Sequence, residues 1–417
     1  MNLLTNSPAQ ERVLEAAANL FWTKGYAQTT TREIAARLGI QQASLYHHVA
    51  SKEDLLCQLC VTSLERLFEE VQTAVDASDC AEGRIRILIG THLNALLKYR
   101  TRNALMLKEI RALSGTRRGQ VLGLRKRYGR LVLAILQEGQ SAGFLRKDIP
   151  SKYLCLALLD ILNWAVLWFR GDDALTADQL AEIFARVYID GAATPAGRLS
   201  GALPQLQPGD RKAAPGRRKR ARASQQPVLA RLLDTASTLF ATKGYGLTST
   251  REIAEQIGIQ KASVYYHIET KEDLLYEICK SSLKQIRSDV ESALEDASSP
   301  LERTSFLIRT HIESMLRDQD RHSAALTEMS CLSAERLKEV TALRDAYEGL
   351  VRSVLDEAQI AGMLRRDVPV KFLCLALLGL LNRVLVWFRP KGPLSPEQIG
   401  VLFAGIYLTG AAAERNS

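Results

Sequence analysis

Two short stretches of the chain combine the side-chain types that can read the edges of nucleic acid bases. The first spans residues 41–48, Gln-Gln-Ala-Ser-Leu-Tyr-His-His, and the second spans residues 260–267, Gln-Lys-Ala-Ser-Val-Tyr-Tyr-His. Amide, hydroxyl and methyl groups at the start of a helix reach base edges, and nearby aromatic or cationic groups reach thymine methyls and phosphates. Each stretch therefore has the composition of a helix that contacts nucleic acid.

Both stretches belong to a repeat that runs along the chain with a constant offset of 219 residues and no gap. Phe21-x-x-Lys24-Gly25-Tyr26 returns as Phe240-x-x-Lys243-Gly244-Tyr245, and Trp168-Phe169-Arg170 returns as Trp387-Phe388-Arg389. A period this long duplicates a whole pair of domains, because solenoid repeats are only ~20 to 50 residues long. The 417 residues thus predict two copies of one two-domain unit.

Capping patterns and glycines predict that each copy is helical throughout. Thr30-x-x-Glu33 is a capping box, and Gly39 ends the short helix that this box opens. A second short helix follows, and Ser51 then begins a long one. Helix, glycine turn and helix is the helix-turn-helix layout. The remaining residues have helical spacing without a convincing alternating strand, so we predict an all-α fold.

Positive charge is concentrated between the two copies. The net charge is +9, and residues 194–226 contain eight Lys or Arg residues against Asp210 alone. This segment is also rich in Pro, Gly and Ala, which predicts a basic flexible linker. The seven cysteines are an odd number without a regular framework, which favours a reducing cytoplasm over a secreted disulfide scaffold.

Neither copy shows a pattern that points to catalysis or to a cofactor. Cys57-x-x-Cys60 looks like half of a metal or redox motif, but the second copy has Tyr276 and Cys279 at these positions. No Ser/His/Asp or Cys/His arrangement of recognisable spacing and no glycine-rich phosphate loop is found. We therefore predict no cofactor, no metal and no enzymatic activity.

Membrane insertion is also disfavoured. Residues 1–11 lack the charged start and apolar core of a signal peptide. The apolar runs 153–169 and 372–388 approach membrane-spanning length, yet Asp160 and Asn163 interrupt the first, and Asn382 and Arg383 the second. We expect both runs to be buried helices at an interface, in a cytoplasmic protein that does not contact a membrane.

The first fifty residues of each copy resemble the DNA-binding segment of TetR-family transcriptional regulators. The resemblance rests on Gly25-Tyr26, Thr29 to Thr31, Ile34-Ala35, Gly39-Ile40, Leu45-Tyr46-x-His48 and Ser51-Lys52-x-x-Leu55-Leu56, and on their repeats. It implies two tandem units, each with a three-helix helix-turn-helix domain and a helical ligand-binding and dimerisation domain. The expected boundaries are 1–50, 51–193, the linker 194–226, 227–269 and 270–417.

The resemblance also assigns a role to each residue of the reading stretches. Gln42 and Ala43 are expected to face bases, Ser44 a phosphate, Tyr46 and His47 the groove, His48 and Lys52 the DNA backbone, and Gln41 the groove edge. The second copy places Gln260, Lys261, Ala262, Ser263, Tyr265, Tyr266, His267 and Lys271 there. Packing of the tyrosines and simple solvation of the histidines and lysines remain open alternatives.

The basic run in the linker lies just before the first helix of the second copy, where family members often carry a flexible arm. Arg217, Arg218 and Arg220 are candidates for phosphate or minor-groove contacts, which strengthen binding in a salt-dependent way. A solvated spacer is the alternative.

The second half of each copy resembles the ligand domain of TetR members that respond to acyl-CoA thioesters. Candidate contacts for such an effector, or for a hydrophobic carboxylic acid, are His92, Trp164, Trp168, His311, Arg383 and Trp387. Arg383 replaces Trp164 four residues before Trp387, and its guanidinium could fork onto an anion. The alternatives are core histidines, packed tryptophans and a surface or interface salt bridge for Arg383.

These features predict a ligand-responsive regulator, most simply a repressor, that binds a double-stranded operator. Differences between the two reading stretches predict an imperfect palindrome. The copies are expected to pair within one chain as a pseudo-dimer, and pairing between two chains stays open. The alternatives are a basic architectural DNA-binding protein without an effector and, less favoured, a helical enzyme.

Overall fold

The regular structure of the chain is helical. The computed structural model describes residues 7–47, 49–169, 175–191 and 227–410, and every regular element within these ranges is a helix. The all-α prediction is therefore confirmed. The predicted linker 194–226 with Arg217, Arg218 and Arg220 lies outside the described residues, as do His48 and Arg170.

Contacts divide the chain into two units, of which the first ends at Asp190 and the second at Gly410. In the first unit, α4 packs against α5, α6 and α7, and α5 also packs against α7, α8 and α9. The helices are α1 (Pro8–Lys24), α2 (Thr31–Leu38), α3 (Gln42–Tyr46), α4 (Lys52–Asp76), α5 (Ala81–Lys98), α6 (Arg100–Glu109), α7 (Gly115–Ser141), α8 (Ser151–Trp168) and α9 (Ala177–Asp190).

The second unit repeats this order. Its helices are α10 (Val228–Lys243), α11 (Thr250–Ile257), α12 (Lys261–Val264), α13 (Lys271–Glu295), α14 (Pro300–Arg317), α15 (Gln319–Glu328), α16 (Ala334–Ile360), α17 (Val370–Asn382), α18 (Val384–Trp387) and α19 (Pro396–Thr409). α14 takes the central position of α5 and packs against α13, α16, α17 and α19.

One expectation about this unit is corrected by the structure. Where α8 is continuous, its counterpart is interrupted at Arg383, so Arg383 and Trp387 do not share the face of one regular helix. The Val386 N–H donates to the Arg383 carbonyl oxygen at 2.9 Å, three residues away, which tightens the backbone at this point. Arg383 itself is buried.

The first three helices of each unit, α1 to α3 and α10 to α12, form a small domain that we call the head. The side chains of Thr30 and Glu33 complete the predicted capping box at the start of α2. Gly39 follows α2 with φ of 69°, and Gly258 follows α11 with φ of 73°. Residues with a Cβ rarely adopt this left-handed conformation, so glycine is required at the turn that leads into each reading helix.

The two long apolar runs are largely enclosed by protein. The segments Ser151–Trp168 and Val370–Trp387 are long and apolar enough to cross a membrane by length and composition. However, 56% and 72% of their residues are buried within the structure. This burial is typical of helices that form the core of a helical domain.

The turn glycines lead to a stability prediction. We expect Gly258→Ala to destabilise the chain by about 1 kcal/mol, because alanine must adopt the left-handed conformation there. Gly349 is exposed within α16 and is a matched control, because alanine at a helical position should stabilise by about 0.5–1 kcal/mol. Urea unfolding followed by circular dichroism measures both changes, and shifts of the same sign would contradict this account.

Candidate nucleic-acid interface and ligand domain

A single buried side chain anchors each reading helix. Leu45 in α3 is fully buried in the core of the head, and Val264 occupies the same place in α12. The predicted reading residues around them are solvent-exposed except Ser263, which is half-buried: Gln41, Gln42, Ala43, Ser44, Tyr46, His47, Gln260, Lys261, Ala262, Tyr265, Tyr266 and His267. The buried side chain thus fixes the position of each helix, and most of the polar groups on that helix face solvent.

In the first head, hydrogen bonds connect three polar side chains, of which Gln42 and Tyr46 are exposed and Thr31 is half-buried. The Gln42 Nε2 group donates to Thr31 Oγ1 at 3.0 Å, and Thr31 Oγ1 lies 3.2 Å from Tyr46 Oη. The amide oxygen and the second N–H of Gln42 remain available for a base edge. Thr31 was not among the predicted site residues, although it is the first residue of α2 in the Thr29 to Thr31 run.

The second head has a different polar surface at the same place. Thr250 Oγ1 lies 3.4 Å from Tyr265 Oη, and Lys261 Nζ lies 5.9 Å from the centroid of the Tyr265 ring. Tyr266 is 89% exposed, which is too open for a packing role. The two heads therefore present different hydrogen-bonding groups on the same backbone frame.

Lys52 and Lys271 point inward in the structure. The Lys52 ammonium donates to the carbonyl oxygens of Tyr26, Ala27 and Thr29 at 2.9, 3.2 and 3.0 Å. An ammonium has three N–H donors, so this set is complete, and partial burial lowers the pKa of Lys52. The Lys271 ammonium donates to two of the equivalent carbonyl oxygens, those of Tyr245 and Thr248, both at 2.8 Å. Both lysines tie the start of a long helix to the turn before α2 or α11, and a phosphate contact by either remains a prediction.

An arginine joins each head to the helix behind it, and in the first unit this arginine is buried. Arg102 in α6 is only 4% exposed, and its guanidinium donates to Glu11 at 2.6 Å and to Glu15 at 2.8 and 3.1 Å. In the second unit, Arg321 donates to Asp234 at 2.8 Å. Sequence reasoning missed this link, although the arginine recurs at the repeat offset and its two carboxylate partners are spaced by one helical turn in α1.

Each ligand domain contains a buried histidine–tyrosine pair. His92 Nδ1 lies 2.5 Å from Tyr128 Oη, and His311 Nδ1 lies 2.7 Å from Tyr347 Oη. Burial lowers the pKa of His311 to about 3, with a smaller contribution from the charge of His322. Both histidines are hydrogen-bonded core residues, as the alternative interpretation expected, and contact with a ligand remains a prediction.

The second unit has a further buried histidine. His322 Nδ1 lies 2.7 Å from Ser282 Oγ, and burial lowers the pKa of His322 to about 4. The first unit has Asn103 at this position, and its amide donates to the carbonyl oxygens of Ala95 and Leu96. The polar interiors of the two ligand domains therefore differ in a titratable group.

Two of the three tryptophans predicted to contact the ligand, Trp168 and Trp387, pack against phenylalanine rings. The Trp168 ring is 6.0 Å from Phe169 and 6.3 Å from Phe184, and the Trp387 ring is 5.7 Å from Phe403. Trp164 is half-buried. These contacts identify Trp168 and Trp387 as parts of the seam between the last two helical segments of each unit.

A groove of 770 Å³ opens in the first unit between α4, α5 and α9. The described residues that line it include Glu70, Ile87, Gly90, Asn94, Phe169 and Asp178. None of the predicted ligand contacts belongs to this described lining. His92, on α5, points toward Tyr128 of α7 instead. Only a change in residue size at a repeated position, Gly90 against Arg309, could have pointed to it.

The structure offers little for metal or thiol chemistry in the part of the chain that it describes. There, no group of three His, Cys, Asp or Glu side chains is placed to hold a metal ion. Burial raises the pKa of the Cys60 thiol to about 12, so this thiol remains protonated and unreactive at neutral pH.

Comparison with known proteins accounts for both halves of each unit. The family described as bacterial regulatory proteins, tetR family, matches residues 13–59 and 232–278. The family described as tetracyclin repressor-like, C-terminal domain, matches residues 78–192 and 297–411. Together these four matches cover more than half of the chain.

Individual relatives each match a single unit. The HTH-type transcriptional repressor KstR2 of Rhodococcus jostii is 29% identical over 190 residues, which are 45% of this chain and 93% of that repressor. The fatty acid metabolism regulator protein of Bacillus subtilis is 20% identical over 164 residues, 39% of this chain and 84% of that protein. The solved structure of KstR2 of Mycobacterium tuberculosis shares 26% identity, with coverages of 44% and 94% and a TM-score of 0.42.

The arginine link leads to a second stability prediction. We expect Arg102→Ala to destabilise the first unit by about 2 kcal/mol, because a buried guanidinium loses three charge-assisted hydrogen bonds. Arg86→Ala is the matched control, since Arg86 makes one exposed pair with Glu82 that contributes at most about 0.5 kcal/mol. Equal losses in denaturant unfolding would contradict the role given to Arg102.

The two buried histidines of the second unit, His311 and His322, predict a loss of stability in acid. Their folded pKa values lie below the unfolded value of about 6.5, so the unfolded chain binds more protons as the pH falls below 6.5. The variant His322→Asn has the residue of the first unit at this position. When the pH falls from 6.5 to 4.5, its free energy of unfolding should decrease by about 2 kcal/mol less than that of the parent protein. Unfolding midpoints at a series of pH values measure this, and identical pH profiles would refute it.

Proposed function

The chain belongs to the tetR family of bacterial regulatory proteins, and we propose that it is a cytoplasmic transcriptional repressor whose two heads bind operator DNA until a small-molecule effector releases them. One observation carries the proposal: both heads present an exposed polar helix on a buried Leu45 or Val264 anchor. The proposed domains are 1–50, 51–193, 227–269 and 270–417, with a basic linker over 194–226. The family consists of regulators, so we assign no catalytic activity.

We further propose that the operator is an imperfect palindrome. Gln42 in the first head is matched by Lys261 in the second, and His47 by Tyr266. A glutamine amide pairs with the N6 and N7 groups of adenine, whereas a lysine favours the acceptors of guanine. The hydrogen bond from Gln42 to Thr31 supports this role, because it orients the amide before DNA is bound.

The proposed effector is an acyl-CoA or a hydrophobic carboxylic acid. The relative from Bacillus subtilis that regulates fatty acid metabolism supports this class. We place the effector beside the buried pairs His92–Tyr128 and His311–Tyr347, with Trp164, Trp168 and Trp387 as apolar contacts. In the second unit, Arg383 places a buried cation where the first unit has Trp164. An anion is therefore bound more tightly by the second unit.

We also propose that the two copies pair within one chain, as two protomers of the family do. The support is the repeat itself, which supplies both partners in one polypeptide. Pairing between two chains would produce four heads, and light scattering of free and DNA-bound protein distinguishes the two arrangements by mass.

Operator selection tests the function. Sites selected from a random pool should be imperfect palindromes, with Gln42→Ala relaxing one half and Lys261→Ala the other. Each change should cost about 1–3 kcal/mol in band-shift titrations, because a direct base contact is lost. Lys284→Ala, an exposed lysine in the ligand domain, is the control and should bind normally.

Two results would contradict the proposal at different levels. Equal affinity for the selected sites and for random DNA, with the same steep decline in salt, would indicate an architectural protein without a specific operator. A perfectly palindromic site that is weakened on both halves by either substitution would be compatible with a repressor. It would contradict the proposal that the two heads prefer different bases.

A further inference from the structure

The two units differ most clearly on the side of α5 and α14 that faces α9 and α19. In the first unit this side borders the open groove of 770 Å³, a volume within the ~300–1,000 Å³ typical of small-molecule sites. Positions along α5 spaced by three or four residues share this face, among them Ile87, Gly90 and Asn94. The second unit has Phe306, Arg309 and Glu313 there, which are larger or charged.

In the second unit, an arginine side chain of the protein occupies this side of the helix. Gly400 in α19 lies against Arg309, and a Cβ built on Gly400 would be 3.1 Å from the Arg309 Cα and 3.4 Å from its Cβ and Cγ. The aliphatic stem of Arg309 is thus packed between the helices. Burial raises the pKa of Glu313 and the charge of Glu397 adds to this, while Arg309 and Arg317 favour the ionised carboxylate.

A second arginine of the same unit, Arg317, binds the carboxylate of Asp289 in α13. Ser314 Oγ donates to Asp289 Oδ2 at 2.6 Å, and Arg317 Nη1 donates to the same oxygen at 3.2 Å. In the second unit, the carboxylate of Asp289 is therefore satisfied by a hydroxyl and a guanidinium group of the protein itself.

The first unit keeps two of the three acidic groups, because Asn94 replaces Glu313, and it loses most of these internal partners. Glu70 replaces Asp289, while Ala95 replaces Ser314 and removes the hydroxyl donor. Gly90 removes the whole arginine side chain that Arg309 supplies. Lys98, the counterpart of Arg317, lies with its ammonium 5.3 Å from the centroid of the Tyr99 ring.

The acidic groups of the first unit border a largely apolar space. Asp178 at the start of α9 accepts a hydrogen bond from Asn94 Nδ2 at 2.7 Å, and Glu70 contributes a second carboxylate from α4. Against these, Lys98 is the one cationic side chain of the described lining, and Ile87, Leu97 and Phe169 supply apolar surface. The described lining is therefore net negative and partly hydrophobic.

We propose that the groove of the first unit is a binding site for a small molecule with an alkyl-guanidinium or alkyl-ammonium group, whose chain lies over Gly90 and whose cation is held by the carboxylates of Glu70 and Asp178. Its alkyl chain takes the position on α5 that the aliphatic stem of Arg309 takes on α14 in the second unit. The site differs in position and in charge preference from the effector site proposed above, because His92 faces α7 and the effector is an anion.

The test uses the full-length protein without DNA and n-hexylguanidinium as the probe, with binding measured by titration calorimetry at low ionic strength. One molecule should bind per chain. Glu70→Gln and Asp178→Asn should each weaken binding about five- to tenfold, because each removes a charge-assisted contact in a partly solvated groove. Gly90→Arg should abolish binding, because its side chain fills the space as Arg309 does.

Matched controls separate the site from general charge effects. Glu69→Gln removes the same charge from an exposed neighbouring position of α4 and should bind normally. Hexanol, which shares the chain length without the cation, should not bind in the groove. The three groove variants should retain the circular dichroism spectrum of the parent, and Glu70→Gln and Asp178→Asn test the site even if Gly90→Arg fails to fold.

Several outcomes would overturn the proposal. They are no binding of hexylguanidinium to the parent protein at millimolar concentration, unchanged affinity in both carboxylate variants, and equally tight binding of hexanol. None of these measurements involves DNA or the anionic effector, so the proposal can fail while the repressor function stands, and the reverse is also possible.

Discussion

The position of each proposed DNA-reading helix depends on one buried aliphatic side chain. α3 contains five residues and α12 four, which is far below the length at which a helix is stable alone in water. Their position comes from Leu45 and Val264, which are fully buried among the other helices of the head. Because these side chains fill the buried position of each short helix, the neighbouring polar groups other than Ser263 are exposed to solvent.

The heads in turn are held by charges that point into the protein. Lys52 and Lys271 join the turns before α2 and α11 to the long helices, and Arg102 and Arg321 join the first helix of each head to the ligand domain. The second head has a further link, because the buried carboxylate of Glu328 accepts the Tyr245 N–H at 3.2 Å. A movement of α6 or α15 that follows effector binding would therefore be transmitted to the heads through polar contacts of defined direction.

Local features of this fold could be predicted from the sequence, and long-range ones could not. The capping box at Thr30, the turn at Gly39 and the exposed reading residues follow from neighbouring residues. The partners of Arg102 are 87 and 91 residues away, so no local pattern indicates them. The inward direction of Lys52 depends on three carbonyl groups that meet only after folding. The interruption at Arg383 and the groove beside Gly90 result from packing between helices, which spacing along one helix does not describe.

The contrast between Gly90 and Arg309 has a consequence for how such a protein evolves. In a homodimer, one codon specifies both halves, so a substitution that closes a cavity closes it twice and any benefit of keeping it open is lost. Fusion of the two copies into one gene removes this constraint. Selection then acts on each half separately. One half can lose a cavity or change the base that it prefers while the other half stays unchanged.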